Sequence, residues 1–181
     1  MTSSRPTWDD SWMAMARVIA QRSLCDRDRV GAVVVSASNR IIDTGYNGPP
    51  AGFTRHHTVD ENKVGCTMWC GRARLSYDNI MQRKRLGNIG AFEEPLAQDY
   101  SDCPSLHAEA NALMFSDRRL REGGTIYVSS GTCSGCAKLV ANSGLARAVY
   151  ASSDRADGAS HRDSERWYDF LRDCGLEVVT C

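Results

Sequence analysis

The sequence lacks an excess of charge of either sign, and it lacks long apolar runs. Its 22 Lys and Arg residues balance 22 Asp and Glu residues, so the formal net charge is zero. A chain with this balance has no overall field that would draw it to nucleic acid or to a membrane surface. The longest apolar runs, such as residues 31–35, are far shorter than the roughly 20 residues of a membrane span. Residues 1–6 also lack the apolar core of a signal peptide, so we expect a cytoplasmic protein.

The chain is long enough for one ordinary domain and is rich in cysteine. It has 181 residues, of which eight are cysteines. In a reducing compartment, clustered cysteines more often bind a metal or take part in catalysis than form disulfides. We predict a single domain over residues 1–181, with an insertion at about 60–102 where periodic apolar positions are few.

The N-terminal third predicts a helix followed by a hairpin. Thr7 and Asp10 resemble a capping box, and apolar residues recur at helical spacing after them, which predicts a helix over residues 8–23. Two β-branched runs with a turn-rich segment between them predict strands over residues 30–35 and 40–44.

The rest of the chain predicts alternating helices and strands. Residues 45–52 hold three glycines and two prolines, which predicts an irregular loop. The insertion has one helical stretch at about 76–85. After it, the pattern predicts helix, strand, helix, strand, helix and strand over residues 106–119, 125–129, 134–143, 146–150, 162–174 and 176–180. This order indicates an α/β sandwich with helices on both faces of one sheet.

The main chemical feature is a His-x-Glu pair followed by a Cys-x-x-Cys pair. Zinc binds imidazole nitrogen and thiolate sulfur in tetrahedral sites, and three protein ligands leave the fourth position for water. Cys133 and Cys136 lie three residues apart at the start of a predicted helix, about 60° apart around its axis, so one ion can bind both. In an ideal helix His107 and Glu109 would lie about 200° apart. Both can face one ion only if His107 lies at the irregular helix entrance.

Glu109 distinguishes a catalytic from a purely structural zinc site. Zinc lowers the pKa of a bound water to around 7, and a neighbouring carboxylate can move a proton from that water to a substrate atom. His-x-Glu with a downstream Pro-Cys-x-x-Cys is the signature of zinc nucleobase deaminases. The alternative is a closed structural site in which Cys103 is the fourth ligand, but such a site has no use for Glu109.

Further motifs extend the pattern beyond the metal ligands. They are Trp8-Asp-Asp10, Arg29-Val-Gly-Ala32, Gly45-Tyr-Asn-Gly-Pro-Pro-Ala-Gly52, His107-Ala-Glu-Ala-Asn-Ala112 and Cys133-x-x-Cys-Ala-Lys138. Outside residues 60–102 most of the chain resembles the deoxycytidylate (dCMP) deaminase family of the cytidine deaminase-like superfamily. The resemblance implies a three-layer α/β/α sandwich around a mixed five-stranded sheet. It also implies a hydrolase that cleaves the amidine C–N bond of a dCMP-like nucleotide, which would supply dUMP and release ammonia.

The resemblance also implies roles for individual residues. Glu109 would be the general acid and base, and zinc would be held by His107, Cys133 and Cys136. The substrate would be bound by Ala108, Asn111 and Arg118. For Arg118, a solvated position on the helix is the alternative.

The glycine-rich loop carries a regulatory prediction. In many relatives this loop binds a dCTP activator or a dTTP inhibitor near subunit contacts, so Tyr46, Asn47 and Gly48 are candidates for an effector site that would use Mg²⁺. Such enzymes are commonly hexamers, and we therefore expect a homo-oligomer. Packing against the active site would explain the loop equally well.

A second, structural zinc is also predicted from phage relatives. Cys25 matches one ligand position, and further candidates come from the segment after the loop and from the insertion. The full candidate set is Cys25, His56, His57, Cys66, Cys70 and Cys103. The alternative is that these are reduced thiols and solvated histidines.

Three departures from the family pattern bear on the substrate. Thr132 stands where the family has proline, Asp154 falls where many relatives have tyrosine, and the insertion is unusually long. Alternatives to a dCMP-type enzyme are therefore a deaminase of a modified nucleotide or nucleoside, a deaminase of a base in a polynucleotide, and an inactive nucleotide-sensing subunit. Polymer binding needs a basic track with stacking aromatics, and the basic runs at residues 83–85 and 118–121 are short.

Overall fold

A computed structural model describes residues 5–23, 25, 28–51, 105–152 and 164–181. The chain divides into two compact units, the first comprising Met1–Ser23, Arg29–Asn47 and Leu106–Cys181 and the second Leu24–Asp28 and Gly48–Ser105. All helices and strands named below belong to the first unit. The single domain stays a prediction, and the insertion at 60–102 with its helical stretch lies outside the described residues.

The first helix, α1, spans Trp8–Ala20 and begins with the predicted capping box. Thr7 Oγ1 accepts a hydrogen bond from the backbone N–H of Asp10 at 3.1 Å, and the Asp10 carboxylate accepts one from the N–H of Thr7 at 2.9 Å. These two bonds satisfy N–H groups that the first turn leaves unpaired. Among the described helices, none combines the length and the apolar content that crossing a membrane requires.

Five strands form one mixed sheet, as predicted. They are β1 (Gly31–Val35), β2 (Ile41–Tyr46), β3 (Thr125–Val128), β4 (Arg147–Tyr150) and β5 (Glu177–Thr180). Their order is β2-β1-β3-β4-β5. β1 is antiparallel to both of its neighbours, and β4 is parallel to both of its neighbours.

The second strand is longer than the sequence predicted. Gly45 and Tyr46, which were predicted to be irregular, complete β2 and pair with Ala32 and Gly31. The prediction of an irregular loop from residue 45 was therefore wrong for these two residues. Residue 45 has to be glycine because a helix packs so close to the strand backbone that a side chain would not fit, as described below.

Four further helices flank the sheet in the described part of the chain. They are α2 (Ala108–Phe115), α3 (Arg118–Arg121), α4 (Ser134–Ala141) and α5 (Ser164–Asp173). The prediction of one continuous helix over 106–119 was wrong, because the chain leaves helical geometry at Ser116. The Asp117 carboxylate then accepts a hydrogen bond from the N–H of Arg119 at 2.7 Å and caps α3.

Alternate residues of the strands face two separate hydrophobic clusters, which makes three layers. On one face α1 packs against a cluster that includes Met13, Ala16, Val33, Val35, Tyr127 and Val149. On the other face α2, α4 and α5 pack against a cluster that includes Ala32, Val34, Ala112, Ile126, Val128, Val140, Ala148, Tyr150 and Leu171. The period of two follows from the pleat of a strand. The predicted α/β/α sandwich is confirmed.

Candidate metal centre and active site

Helix starts position the three candidate metal ligands. His107 is the N-cap of α2 and Cys133 is the N-cap of α4, and neither side chain caps its own helix. Cys136 lies in the first turn of α4 and is buried. His107 therefore lies at the helix entrance, which is the position that the spacing to Glu109 required.

The three side chains meet in a geometry that fits zinc. Sγ of Cys133 lies 3.3 Å and Sγ of Cys136 3.4 Å from Nδ1 of His107. All ligand atoms of the group lie within 4.8 Å of one another. Ordinary zinc–sulfur and zinc–nitrogen bonds at tetrahedral angles separate sulfur from nitrogen by about 3.5 Å. One nitrogen and two sulfur donors at this spacing can hold a zinc ion and leave one coordination position open. Cys103, the alternative fourth ligand, lies outside the described residues.

The two cysteines have opposite electrostatic behaviour. The pKa of Cys133 is lowered to about 3, mainly because the Cys136 thiol donates a hydrogen bond to its sulfur, with His107 adding to the effect. The pKa of Cys136 is raised, because it is the donor in that bond and is buried. Zinc binds the thiolate form of both cysteines, so metal binding releases the proton that they share.

Glu109 lies in the first turn of α2 beside these ligands. It is only 3% exposed. Burial raises the pKa of its carboxyl, and the charge of Cys133 adds to this, while His107 and a hydrogen bond with Cys136 act in the opposite direction. A raised pKa makes the protonated form of a carboxyl group easier to reach, as a group that accepts and returns a proton requires. The site thus pairs a candidate metal-binding cluster with a buried carboxyl group.

The predicted substrate residues lie in different surroundings. Ala108 is completely buried in the first turn of α2. Asn111 Nδ2 donates a hydrogen bond to the carbonyl of Tyr46 at 2.7 Å. The Arg118 guanidinium donates to the carbonyl of Asn142 at 3.1 Å, just beyond the last residue of α4, whereas Cys133 lies just before the first residue of that helix. The structure therefore does not bring Arg118 to the metal cluster, and all three substrate roles stay predictions.

The predicted effector loop is held by backbone and side-chain bonds. Asn47 is 8% exposed, and its Oδ1 accepts a hydrogen bond from the N–H of Val30 at 2.8 Å. Its carbonyl accepts another from Ser23 Oγ at 2.8 Å. Tyr46 is 39% exposed at the end of β2, and Gly48 belongs to the second unit. The effector role of these residues stays a prediction.

The second zinc site falls mostly outside the described residues. His56, His57, Cys66, Cys70 and Cys103 all lie there, as does Asp154. Cys25 is described and half-buried. This metal site therefore stays a prediction.

Tyr150 is a polar residue near Glu109 that was not among the predicted site residues. It ends β4, and the parallel register pairs it with Val128, the last residue of β3. The ligand Cys133 follows β3 in the chain. The carboxyl ends of parallel strands are where α/β proteins place their sites, and this rule could have identified Tyr150 from the sequence.

Comparisons with known proteins identify the family. Residues 6–152 match the family described as the cytidine and deoxycytidylate deaminase zinc-binding region. The chain is 42% identical over 151 residues to the deoxycytidylate deaminase of Mycobacterium phage D29, a match that covers 81% of this chain and 96% of that protein. It is 30% identical over 185 residues to the deoxycytidylate deaminase of Enterobacteria phage T4, covering 92% of this chain and 86% of that protein.

The fold agrees with this assignment. The crystal structure of the dCMP deaminase from the cyanophage S-TIM5 superposes with a TM-score of 0.60 at 22% identity, covering 98% of this chain and 100% of that chain. The likeness shows a shared fold, and the sequence matches supply the relationship. The chain therefore belongs to the cytidine and deoxycytidylate deaminase family of zinc-binding hydrolases.

Proposed function

We propose that this protein is a zinc-dependent deaminase that hydrolyses the 4-amino group of dCMP or a closely similar nucleotide, giving the uracil nucleotide and ammonia. The observation that carries the proposal is the meeting of His107, Cys133 and Cys136 beside the buried carboxyl of Glu109. The substrate class is supported by the relatives, which are named deoxycytidylate deaminases and match nearly their whole length.

Zinc would be held by the imidazole of His107 and the sulfurs of Cys133 and Cys136. When bound, it supplies a Lewis acid that makes water a competent nucleophile at neutral pH. The position of His107 and Cys133 as N-caps lets both side chains point away from their own helices toward one point. A helix N-terminus also favours the thiolate form of Cys133.

Glu109 would carry the proton transfers. Its carboxylate would accept a proton from the attacking water, deliver it to N3 of the cytosine ring and later assist the departure of ammonia. The raised pKa of this buried carboxyl suits a group that must return the proton that it accepts. Burial also keeps bulk water from competing for that proton.

The substrate would lie against the first turns of α2. The Asn111 side chain uses Nδ2 to bond Tyr46, and its Oδ1 accepts no hydrogen bond from the described part of the chain. That oxygen is the group we propose for substrate binding, beside the backbone of Ala108. Arg118 is 59% exposed and keeps its proposed phosphate role, for which its guanidinium would have to leave Asn142 and Glu122.

Regulation, assembly and the second metal belong to the same proposal. Tyr46 and Asn47 would bind a dCTP or dTTP effector with Mg²⁺, and the bond from Asn111 to Tyr46 would connect that loop to the helix of Glu109. The protein would be a cytoplasmic homo-oligomer, with a hexamer favoured. Three measurements test these points. Adding dCTP or dTTP to the assay below tests regulation, light scattering tests the assembly, and metal analysis shows whether each chain binds one or two zinc ions.

A substrate panel tests the proposed function. Zinc-loaded protein is incubated with dCMP, CMP, deoxycytidine, dCTP and a cytosine-bearing oligonucleotide while ammonia release is followed. We expect turnover of dCMP, its loss on treatment with a chelator, and its return when zinc is restored. Turnover of the oligonucleotide alone or of a nucleoside alone would contradict the proposal. No turnover of any substrate by zinc-bound protein would instead indicate a nucleotide-sensing subunit.

A further inference from the structure

The residue before Cys133 is where this chain departs from the signature of its family. Zinc nucleobase deaminases have proline directly before the first cysteine, and this chain has Thr132. Proline fixes its own φ and so restrains the segment that presents the cysteine. Threonine supplies no such restraint. The segment before Cys133 must therefore be held in another way.

A hydrogen bond from α5 holds the backbone at Thr132. Thr132 is 4% exposed, and its carbonyl accepts a hydrogen bond from Ser164 Oγ at 3.3 Å. Ser164 is the first residue of α5 and is 5% exposed. The Thr132 hydroxyl donates a long bond of 3.4 Å to the carbonyl of Cys133, which leaves its lone pairs for a donor.

Tyr150 carries the donor that matches this acceptor. Its side chain is completely buried, its ring packs on that of Tyr168 with centroids 5.0 Å apart, and its hydroxyl has no hydrogen-bond partner among the described residues. Burial raises the pKa of this phenol well above its ordinary value, Glu109 adds to the shift, and the neighbouring Thr132 hydroxyl opposes it.

A buried hydroxyl without a hydrogen-bond partner destabilises the folded state relative to one that has a partner. Phenylalanine would pack the same ring without that cost. We therefore expect the Tyr150 hydroxyl to have a hydrogen-bond partner in the zinc-bound protein.

We propose that Tyr150 is a positioning residue for Cys133. Its hydroxyl donates to Thr132 Oγ1, directly or through one bound water, and together with the Ser164 bond it holds the segment that proline holds in the family signature. The proposal rests on the proposed function only in treating Cys133 as a zinc ligand. It adds Tyr150, Thr132 and Ser164 as a set that acts through that ligand.

A set of variants tests the proposal by zinc affinity, measured by chelator competition without substrate. Tyr150→Phe should weaken zinc binding by about tenfold, the lower end of the effect expected for groups that orient metal ligands. Thr132→Pro should retain zinc affinity, because the proline restraint replaces the hydrogen bonds. In the Thr132→Pro background, Tyr150→Phe should then have no further effect.

A second cycle covers the case in which Thr132→Pro does not fold. Thr132→Val removes the hydroxyl at nearly constant shape, so Thr132→Val, Tyr150→Phe and the double variant should all weaken zinc binding to the same extent. Tyr127→Phe is the matched control. Tyr127 is a buried tyrosine on the opposite face of the sheet whose hydroxyl donates to Asp9 at 2.8 Å, so this variant should lose thermal stability and keep its zinc affinity.

Failure of the positioning role and failure of the proposed function give different results. Unchanged zinc affinity in Tyr150→Phe, or additive effects of Tyr150→Phe and Thr132→Val, would overturn the positioning role whatever the enzyme turns over. Absence of dCMP turnover by protein that binds zinc, with the zinc effects as expected, would overturn the proposed function alone. Failure of the unaltered protein to bind zinc would overturn both.

Discussion

Glu109 is a buried acidic side chain whose surroundings, and not its own chemistry, suit it to proton transfer. It is 3% exposed and lies beside the two sulfurs and the imidazole of the metal cluster. A carboxyl group on the surface would ionise well below neutral pH and hold no proton to return. Withdrawal from water raises its pKa, so the protonated form becomes accessible during the reaction.

Replacing this carboxyl by an amide is expected to stop the reaction and spare the metal site. Glu109→Gln keeps the size of the side chain and cannot accept the proton of the attacking water, so kcat for dCMP should fall by about 10²–10⁴-fold. Zinc content, measured by atomic absorption, should stay at the level of the unaltered protein. Ammonia release measures the rate.

Glu177→Gln is the control for that variant. Its carboxylate is exposed at the edge of the sheet and pairs with Arg147, so turnover should not change. Retention of most of the activity by Glu109→Gln would show that another group transfers the proton.

At the scale of secondary structure, a glycine decides how closely a helix approaches the sheet. A Cβ at Gly45 would lie 2.3 Å from the carbonyl oxygen of Ala108 and 2.4 Å from the N of Ala112. Both are backbone atoms of α2, which cannot yield unless the helix moves. The backbone of β2 thus touches the helix that carries Glu109, and this packing explains one glycine of the loop motif without an effector.

Gly45→Ala is therefore expected to weaken both the fold and the site. Overpacking of this kind costs about 1–3 kcal/mol, which urea denaturation measures as a lower midpoint. Because the displaced helix carries Glu109, kcat should fall as well. Gly135→Ala is the matched control, since a Cβ there meets no described atom closer than the Cys133 sulfur at 4.0 Å. In that helical position alanine should raise stability by up to about 1 kcal/mol. Equal midpoints for Gly45→Ala and the unaltered protein would contradict the close approach.

The break between α2 and α3 shows where local patterns mislead. The sequence pattern over residues 106–119 predicted one helix, but Ser116 is extended and Asp117 caps a new helix. Arg121, which lies outside the predicted helix, stabilises the break between α2 and α3. Its guanidinium donates to the carbonyls of Leu113 and Ser116 at 2.7 Å and to that of Ser143 at 3.0 Å. These bonds join two helix ends, and periodicity contains no information about them.

Across the whole molecule, an ion pair ties α1 to β4, a strand that follows it by more than a hundred residues. Both Nη atoms of Arg147 in β4 donate to the carboxylate of Asp9 in α1 at 2.7 Å, and the Tyr127 hydroxyl donates to the same carboxylate. Hydrogen bonding to Arg147 is the main reason that the pKa of Asp9 lies below its ordinary value of 3.8. A bidentate pair of this kind is stronger than a single surface contact.

The pKa of Asp9 predicts loss of stability in acid. Because the folded state holds this carboxylate ionised, the stabilisation is complete above the unfolded pKa of 3.8 and is lost as pH falls through the lower folded value. The Asp9 side chain is 34% exposed, so solvent screening limits its contribution. We expect Asp9→Asn to cost about 1 kcal/mol at pH 7 and less at pH 3, as measured by urea denaturation at both pH values.

Asp169→Asn supplies the comparison for that effect. Among the described residues Asp169 pairs only with Arg172, on the surface of α5, where its side chain is 73% exposed, so the substitution should change stability little at either pH. A deficit of Asp9→Asn that is equal at pH 7 and pH 3 would show that the ionised carboxylate is not what stabilises α1.

The sequence by itself determined most of the elements, the sandwich and the family, and it singled out three candidate metal ligands, because periodicity, capping and short motif spacing are properties of neighbouring residues. Only the tertiary structure decided that the carbonyl of Ala108 leaves no room for a side chain at Gly45, that Arg118 contacts the far end of α4, and that the Tyr150 hydroxyl is buried near Thr132. These relations join residues far apart in the chain. They depend on strand order and on how closely helices pack against the sheet, which no local pattern encodes.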